Sequence, residues 1–154
     1  MTTIRAATPA DMATVRQLIE EYCRWIDIDL AFQEIAAELH GLPGEYAPPR
    51  GRLLLGVVDD RIEGLVAARP FEGDTCEMKR LYVRPSGRGH GLARNLVTTL
   101  MDDMRQAGYR RIVLDTLPKM DAAQRLYEQL GFEDIPPYYD TPIPGTRFMA
   151  RRLT

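Results

Sequence analysis

The chain has 154 residues, 45% hydrophobic and 27% charged, a balance that fits one globular domain with its own core and leaves no length for a second of full size. Its formal net charge of -2 lacks the cationic excess that grips phosphate backbones, so no nucleic-acid partner is expected, and the short run Arg147 to Arg152 does not change that. Cys23 and Cys76 stand far apart without neighbouring His, which excludes a disulfide framework and a zinc site; with no apolar leader and no stretch of membrane-spanning length, the expectation is a soluble, reduced, cytoplasmic protein with no membrane partner.

In chain order, a short strand around Ile4 stops at Thr8-Pro9-Ala10-Asp11, where Thr8 reads as N-cap, Pro9 as first helical residue and Asp11 as the capping-box acid. Met12, Val15, Leu18, Ile19, Tyr22 and Ile26 then recur at helical spacing until Asp27-Ile28-Asp29 breaks the helix. A shorter helix carries Phe32, Ile35, Ala36 and Leu39 and ends in the cluster His40 to Gly44, with loop over 41–51. Arg52 to Val58, joined through Asp59-Asp60-Arg61 to Ile62 to Ala68, predicts an antiparallel hairpin, and Thr75 to Val83 predicts a third strand after the turn at Gly73-Asp74.

Leu92, Ala93, Leu96, Val97, Leu100, Met101 and Met104 mark a long helix closed by Gly108, and Arg111 to Leu117 predicts the strand that completes a β-α-β unit. A further helix through Ala122 to Leu130 ends at Gly131, one weak strand falls near Phe132 to Ile135, and the last runs from Arg147 to Leu153. A meander feeding a β-α-β crossover implies an α/β (α+β) domain, 1–154, with a mixed, mostly antiparallel central sheet covered by helices on both faces.

The segment Arg84-Pro-Ser-Gly-Arg-Gly-His-Gly-Leu-Ala93 joins a strand to a helix with glycines at alternate positions. A strand turning straight into a helix presents unpaired N–H groups at the positive end of the helix dipole, and glycines let a diphosphate approach them; the same glycines would also serve a tight turn alone. The Rossmann spacing fails at Leu92 and Arg94, and no Gly-Lys-Ser/Thr is present for a P-loop. What Arg88, Gly91 and Ala93 do resemble, after the lead-in Leu81-Tyr-Val-Arg-Pro85, is the acetyl-CoA signature of the GCN5-related N-acetyltransferases, Gln/Arg-x-x-Gly-x-Gly/Ala. The stretch Ala122-Ala-Gln-Arg-Leu-Tyr-Glu-Gln-Leu-Gly-Phe132 is similar to that family's second signature.

The resemblance implies acetyl-CoA as cosubstrate, held by the main chain of Leu81, Tyr82 and Val83 along its pantetheine arm and by Arg88, Gly89, His90, Gly91, Leu92, Ala93 and Arg94 at its diphosphate. It implies transfer to a primary amine, small-molecule or peptide, with Tyr127 protonating the departing thiolate; alone, Tyr127 also reads as a helix-face aromatic. An amine with a pKa near 10.4 is free base in only about one molecule in a few thousand at neutral pH, so a proton acceptor is needed. Glu77 is the first candidate general base and Asp115 the second, either of which also reads as a solvated carboxylate or an ion-pair partner. Met120 departs from a position where many relatives carry a polar residue, which puts one cofactor contact in doubt.

For the acceptor side the candidates are Asp27, Asp29, Glu34 and Glu38, and the stiff segment Pro136 to Gly145 with its tyrosines; Trp25 reads as packing, Cys76 as a packed thiol, and His40 and His90 as neither metal ligands nor triad members. A homodimer is compatible with this reading. The rival expectations are a non-catalytic acyl-CoA-binding regulatory module and a fold relative with no cofactor.

Overall fold

The computed structural model describes residues 1–27 and 34–154. Seven strands form one sheet in the order β1-β2-β3-β4-β5-β7-β6. The strands are β1 (Thr2–Ala6), β2 (Arg52–Val58), β3 (Arg61–Glu72), β4 (Thr75–Val83), β5 (Arg111–Thr116), β6 (Glu133–Ile135) and β7 (Arg147–Arg152). Every neighbouring pair is antiparallel except β4 and β5, which run parallel because α3 (Leu92–Gln106) carries the chain across between them. Asp59 and Asp60, both at positive φ (48° and 66°), make the tight turn between β2 and β3, a geometry that matches the twist of the strands they join.

Helices cover both faces. On one, α3 lays Leu92, Leu96, Leu100 and Met104 against Leu54, Val66, Met78 and Ile112, and Tyr127 from α4 (Asp121–Gln129) joins that cluster. On the other, α1 (Met12–Ile26) buries Val15, Leu18, Ile19, Tyr22 and Ile26 against Leu53, Leu55, Leu65 and Tyr82. Each such side chain removed from water contributes roughly 1.5–3 kcal/mol, so the helical spacing of the apolar residues is what fastens α1 to the sheet.

Thr8 and Asp11 form the expected capping box, although the chain makes a 3-10 turn at Pro9–Asp11 before the α-helix begins at Met12. Asp27 ends α1 in the left-handed region; Ile28, Asp29 and Phe32 lie outside the described residues. The second helix, α2, spans Ile35–His40, and β3 runs four residues beyond the predicted Ala68, to Glu72. No helix among the described residues is long and apolar enough to cross a membrane.

Candidate active site

The site begins with an irregularity in β4. Leu65 faces Tyr82 and Ala67 faces Lys79, so Val66 alone stands opposite two residues, Arg80 and Leu81, and Arg80 takes φ 64°. This is a β-bulge, which bends the strand and aims its C-terminal half away from its neighbour. On the other side, β4 pairs with β5 only through Thr75, Cys76 and Glu77. Beyond Glu77 the two parallel strands part, and the main chain of Leu81, Tyr82 and Val83 has no ladder partner on the β5 side. Met78, Lys79, Leu81, Leu114, Asp115, Met120 and Tyr127 line the gap.

At the C-terminal end of β4 the chain enters α3 through Gly89 and Gly91, at φ 88° and 67°. The first bond of the helix is Asn95 N–H to Gly91 O at 3.1 Å, and the N–H groups from Gly89 to Arg94 have no hydrogen-bond partner among the described residues. A Cβ on Gly89 or Gly91 would meet no protein atom within 4 Å, so the space in front of this row of donors is open. Successive unpaired N–H groups at a helix N-terminus fit a diphosphate, which is the test acetyl-CoA has to pass here. Leu92 contributes only its N–H, because its side chain is buried against Gly56 and Gly64; His90 and Arg94 are exposed, and Arg94 bonds Gln129. Arg88 is exposed, and its guanidinium carbon lies 5.6 Å from the ring centroid of Trp25, a cation–π contact. Trp25, expected to be packing, is 48% exposed and stands 5.7 Å from the Tyr82 ring.

The opposite mouth of the gap opens into a cleft of ≈ 430 Å³ whose walls include Glu34, Glu45, Arg69, Phe71, Glu77, Lys79, Tyr138 and Tyr139. Of the two carboxylates singled out from sequence, Glu77 lies on its floor and Asp115 borders the adjoining gap, and neither is a solvated strand-face group. Glu77, 3% exposed, accepts from Arg69 Nε at 3.0 Å on one oxygen and from the Tyr138 hydroxyl at 2.7 Å on the other. Asp115 accepts from Tyr139 at 2.6 Å, and Lys79 Nζ sits between the pair, 3.5 Å from Asp115 and 4.0 Å from Glu77. Burial pushes the Lys79 ammonium below its ordinary pKa, against the pull of Asp115 and Glu77. Burial raises Tyr138 and Tyr139, and their bonds to carboxylates raise them further, so both remain donors at neutral pH.

Glu38 was expected to be open to a cationic acceptor, yet it is engaged. Its carboxylate takes Arg80 Nε at 2.9 Å, Arg80 Nη2 at 3.0 Å and the Tyr46 hydroxyl at 2.8 Å, tying α2 to the bulge. Burial alone would raise this carboxyl, but the Arg80 bonds and charge outweigh it and hold it low. Glu34 remains exposed at the cleft rim, and Asp27 closes α1. Tyr138 and Tyr139 belong to the stiff segment whose tyrosines the sequence offered for the acceptor mouth, and they line this cleft, whereas Arg69, Lys79 and Arg80 were missed because their contacts run between separate strands and helices.

Tyr127, 4% exposed, packs 5.6 Å from Phe132 and turns its ring to the gap. Its hydroxyl has no hydrogen-bond partner among the described residues, and burial raises its pKa well above the ordinary tyrosine value. Cys76 is fully buried, its thiol pushed up to about 12 by burial, which leaves no thiolate for nucleophilic chemistry at neutral pH. Met120 is buried and borders the gap just before α4.

Residues 12–132 match the acetyltransferase (GNAT) family. A Schizosaccharomyces pombe protein, known by name only as an uncharacterized N-acetyltransferase, is 40% identical over 148 residues, 95% of this chain and 91% of that one. Among solved structures, a GNAT-family acetyltransferase of Staphylococcus aureus Mu50 superposes with a TM-score of 0.83 at 19% identity, covering 100% of both chains. The Salmonella typhimurium yncA structure, solved with its cofactor acetyl-CoA, gives 0.69 at 25% identity over 99% of this chain and 94% of that one. A donor cradle before α3, a sheet that opens beside it and a match running through 121 of 154 residues place the chain in the acetyltransferase (GNAT) family, N-acetyltransferases whose donor is acetyl-CoA.

Proposed function

We propose that residues 1–154 act as one acetyltransferase domain that moves the acetyl group of acetyl-CoA to a primary amine by direct attack in a ternary complex. The observation that carries this reading is the parting of β4 from β5 past Glu77, with a row of unpaired N–H groups at one end, an open cleft at the other and Tyr127 between. The diphosphate lies on the N–H groups from Gly89 to Arg94, with Arg88 leaving Trp25 to meet it, and the pantetheine arm pairs with the free main chain of Leu81, Tyr82 and Val83 as an added strand would. The amine enters from the cleft and attacks the thioester carbonyl, whose oxygen is polarised by N–H groups of β4, and the carbon–sulfur bond breaks.

The amine's proton passes to the floor network, where Asp115 has one oxygen on Tyr139 and its other facing Lys79 at 3.5 Å. Glu77 holds that network in place and is the second route, its oxygens being engaged by Arg69 and Tyr138. This reading ranks Asp115 before Glu77, the reverse of the order taken from sequence, on the ground that both Glu77 oxygens accept hydrogen bonds and only one of Asp115's does. Tyr127 donates its hydrogen bond to the departing thiolate. No acyl-enzyme forms, because the buried Cys76 has neither thiolate nor base.

The test is amine-dependent release of coenzyme A thiol with both substrates varied. Intersecting initial-rate lines are expected; parallel lines would replace the ternary complex with an acyl-enzyme. Silence across polyamines, amino acids, aminoglycosides and short peptides, in a protein that acetyl-CoA still stabilises against heat, would overturn the transferase reading.

A further inference from the structure

We propose that the acceptor is a small zwitterionic amino acid, its carboxylate bound by Lys79 and the outer edge of Arg69 while its amine faces the gap between β4 and β5. The inference rests on the reading that this gap takes the thioester.

Lys79 is 7% exposed, and its ammonium has no bond of hydrogen-bond geometry to any described residue; the nearest carboxylate oxygens stand at 3.5 and 4.0 Å. An ammonium this enclosed, held by two long ion pairs and by no hydrogen bond, gains when a ligand oxygen reaches its donors. It borders both the gap and the 430 Å³ cleft, so a group filling the cleft reaches it. Arg69 directs Nε and Nη2 to one oxygen of Glu77, each at 3.0 Å, which leaves Nη1, in the same cleft, without a partner among the described residues. Three of the four carboxylate oxygens beside them are already engaged, both of Glu77 and one of Asp115, by Arg69, Tyr138 and Tyr139. Donors are in surplus on this floor. The ligand group that matches them is an oxyanion, and a carboxylate fits the planar guanidinium edge.

Charge decides which carboxylate-bearing amine. Arg69 and Lys79 balance Glu77 and Asp115, so the floor is neutral as it stands. A bare amine would bring a net positive charge and a diacid a net negative one, each to be carried in a desolvated site, whereas a zwitterion brings none. Glu34 and Glu45 at the rim are exposed to solvent and screened, so they weigh little against contacts made on the floor. Because Lys79 borders the gap itself, carboxylate and amine must lie close together in the acceptor, as they do in an α-amino acid.

The experiment compares small α-amino acids with their own primary amides as acceptors, by coenzyme A thiol release, in the wild type, Lys79→Met and Arg69→Gln. The expected result is a kcat/KM for the acid at least about 10-fold above that for the amide, with the ratio falling about 10-fold in Lys79→Met and by less in Arg69→Gln. General damage to the fold lowers both substrates alike and leaves the ratio standing; Arg69, on the cleft wall, supplies the second variant if Lys79→Met does not fold. Equal rates for acid and amide, or a ratio that survives both substitutions, overturns the inference while the transferase stands. No release with any acceptor from a protein that binds acetyl-CoA overturns both.

Discussion

Replacing Tyr127 by Phe removes one oxygen and keeps the ring that packs on Phe132 at 5.6 Å. Because the hydroxyl has no hydrogen-bond partner among the described residues, its loss leaves none of their buried groups unsatisfied, and the fold should hold with an unchanged midpoint of unfolding. The size of the kinetic effect follows from the direction of the pKa shift. A phenol raised by burial above its ordinary value of about 10 is a weaker acid than a thiol of about 8.5, so at the transition state it donates a hydrogen bond to the sulfur and does not surrender its proton outright. A hydrogen bond to a charged partner contributes about 1.5–3 kcal/mol. At 1.36 kcal/mol per decade, that is a fall in kcat of about 13- to 160-fold, with the dissociation constant for acetyl-CoA unchanged. The assay is steady-state thiol release beside direct titration with acetyl-CoA. The wild-type rate should also show no decline from Tyr127 ionisation below pH ~10. A kcat within twofold of wild type, or a loss that appears wholly in acetyl-CoA affinity, would refute the assignment.

Gly91→Ala places a side chain at φ 67°, costing about 1–2 kcal/mol in backbone strain, and projects a methyl into space that no protein atom occupies. Acetyl-CoA affinity measured by calorimetry should fall about 10-fold; an unchanged affinity would move the diphosphate elsewhere. Glu38→Ala removes the carboxylate that meets Arg80 Nε and Nη2 and the Tyr46 hydroxyl, and should cost more than about 1 kcal/mol in urea unfolding, against less if the pair were superficial. Since the folded state holds the Glu38 carboxyl below its ordinary value of about 4.3, its contribution is fully present above that pH and is lost as pH falls through the lower folded value. Glu38→Gln should therefore flatten the acid limb of stability against pH, and an unaltered limb would contradict it.

The strands that sequence placed best are those bounded by their own turn chemistry: Asp59-Asp60 and Gly73-Asp74 bracket β3, and the limits of β2 and β4 agree with the structure. The apolar run that marks β3 in the sequence stops at Ala68. The strand continues because Arg69 and Pro70 lie opposite Glu77 and Cys76, a pairing that only the tertiary register creates. The donor side was legible for a local reason, since a glycine-rich strand-to-helix turn carries its geometry in consecutive residues. The acceptor side was not. Tyr138 reaches Glu77 across 61 positions and Arg80 reaches Glu38 across 42, and no window of sequence contains either pair. Trp25 does pack, on Tyr22 three residues before it, but its contacts with Tyr82 and Arg88 span some sixty residues and were not legible.

Arg80 links these two halves. A non-glycine residue in the left-handed region costs about 1–3 kcal/mol, and a buried ion pair contributes little net stability, so neither the bulge nor the Arg80–Glu38 pair is explained by the folding balance alone. Their combined effect is positional. The bulge bends β4 as it leaves β5, and the pair fixes α2, whose N-cap Glu34 borders the acceptor cleft, to the residue at which the strand bends. Two buried leucines could join α2 to the sheet at least as firmly, but an apolar contact is non-directional and would let the helix slide by a fraction of a turn. Two N–H donors of one guanidinium meeting both oxygens of one carboxylate, with Tyr46 on a third lone pair, define one position and orientation. The cleft and the gap are thereby held in register, which a direct transfer between two bound substrates requires to within a fraction of an ångström.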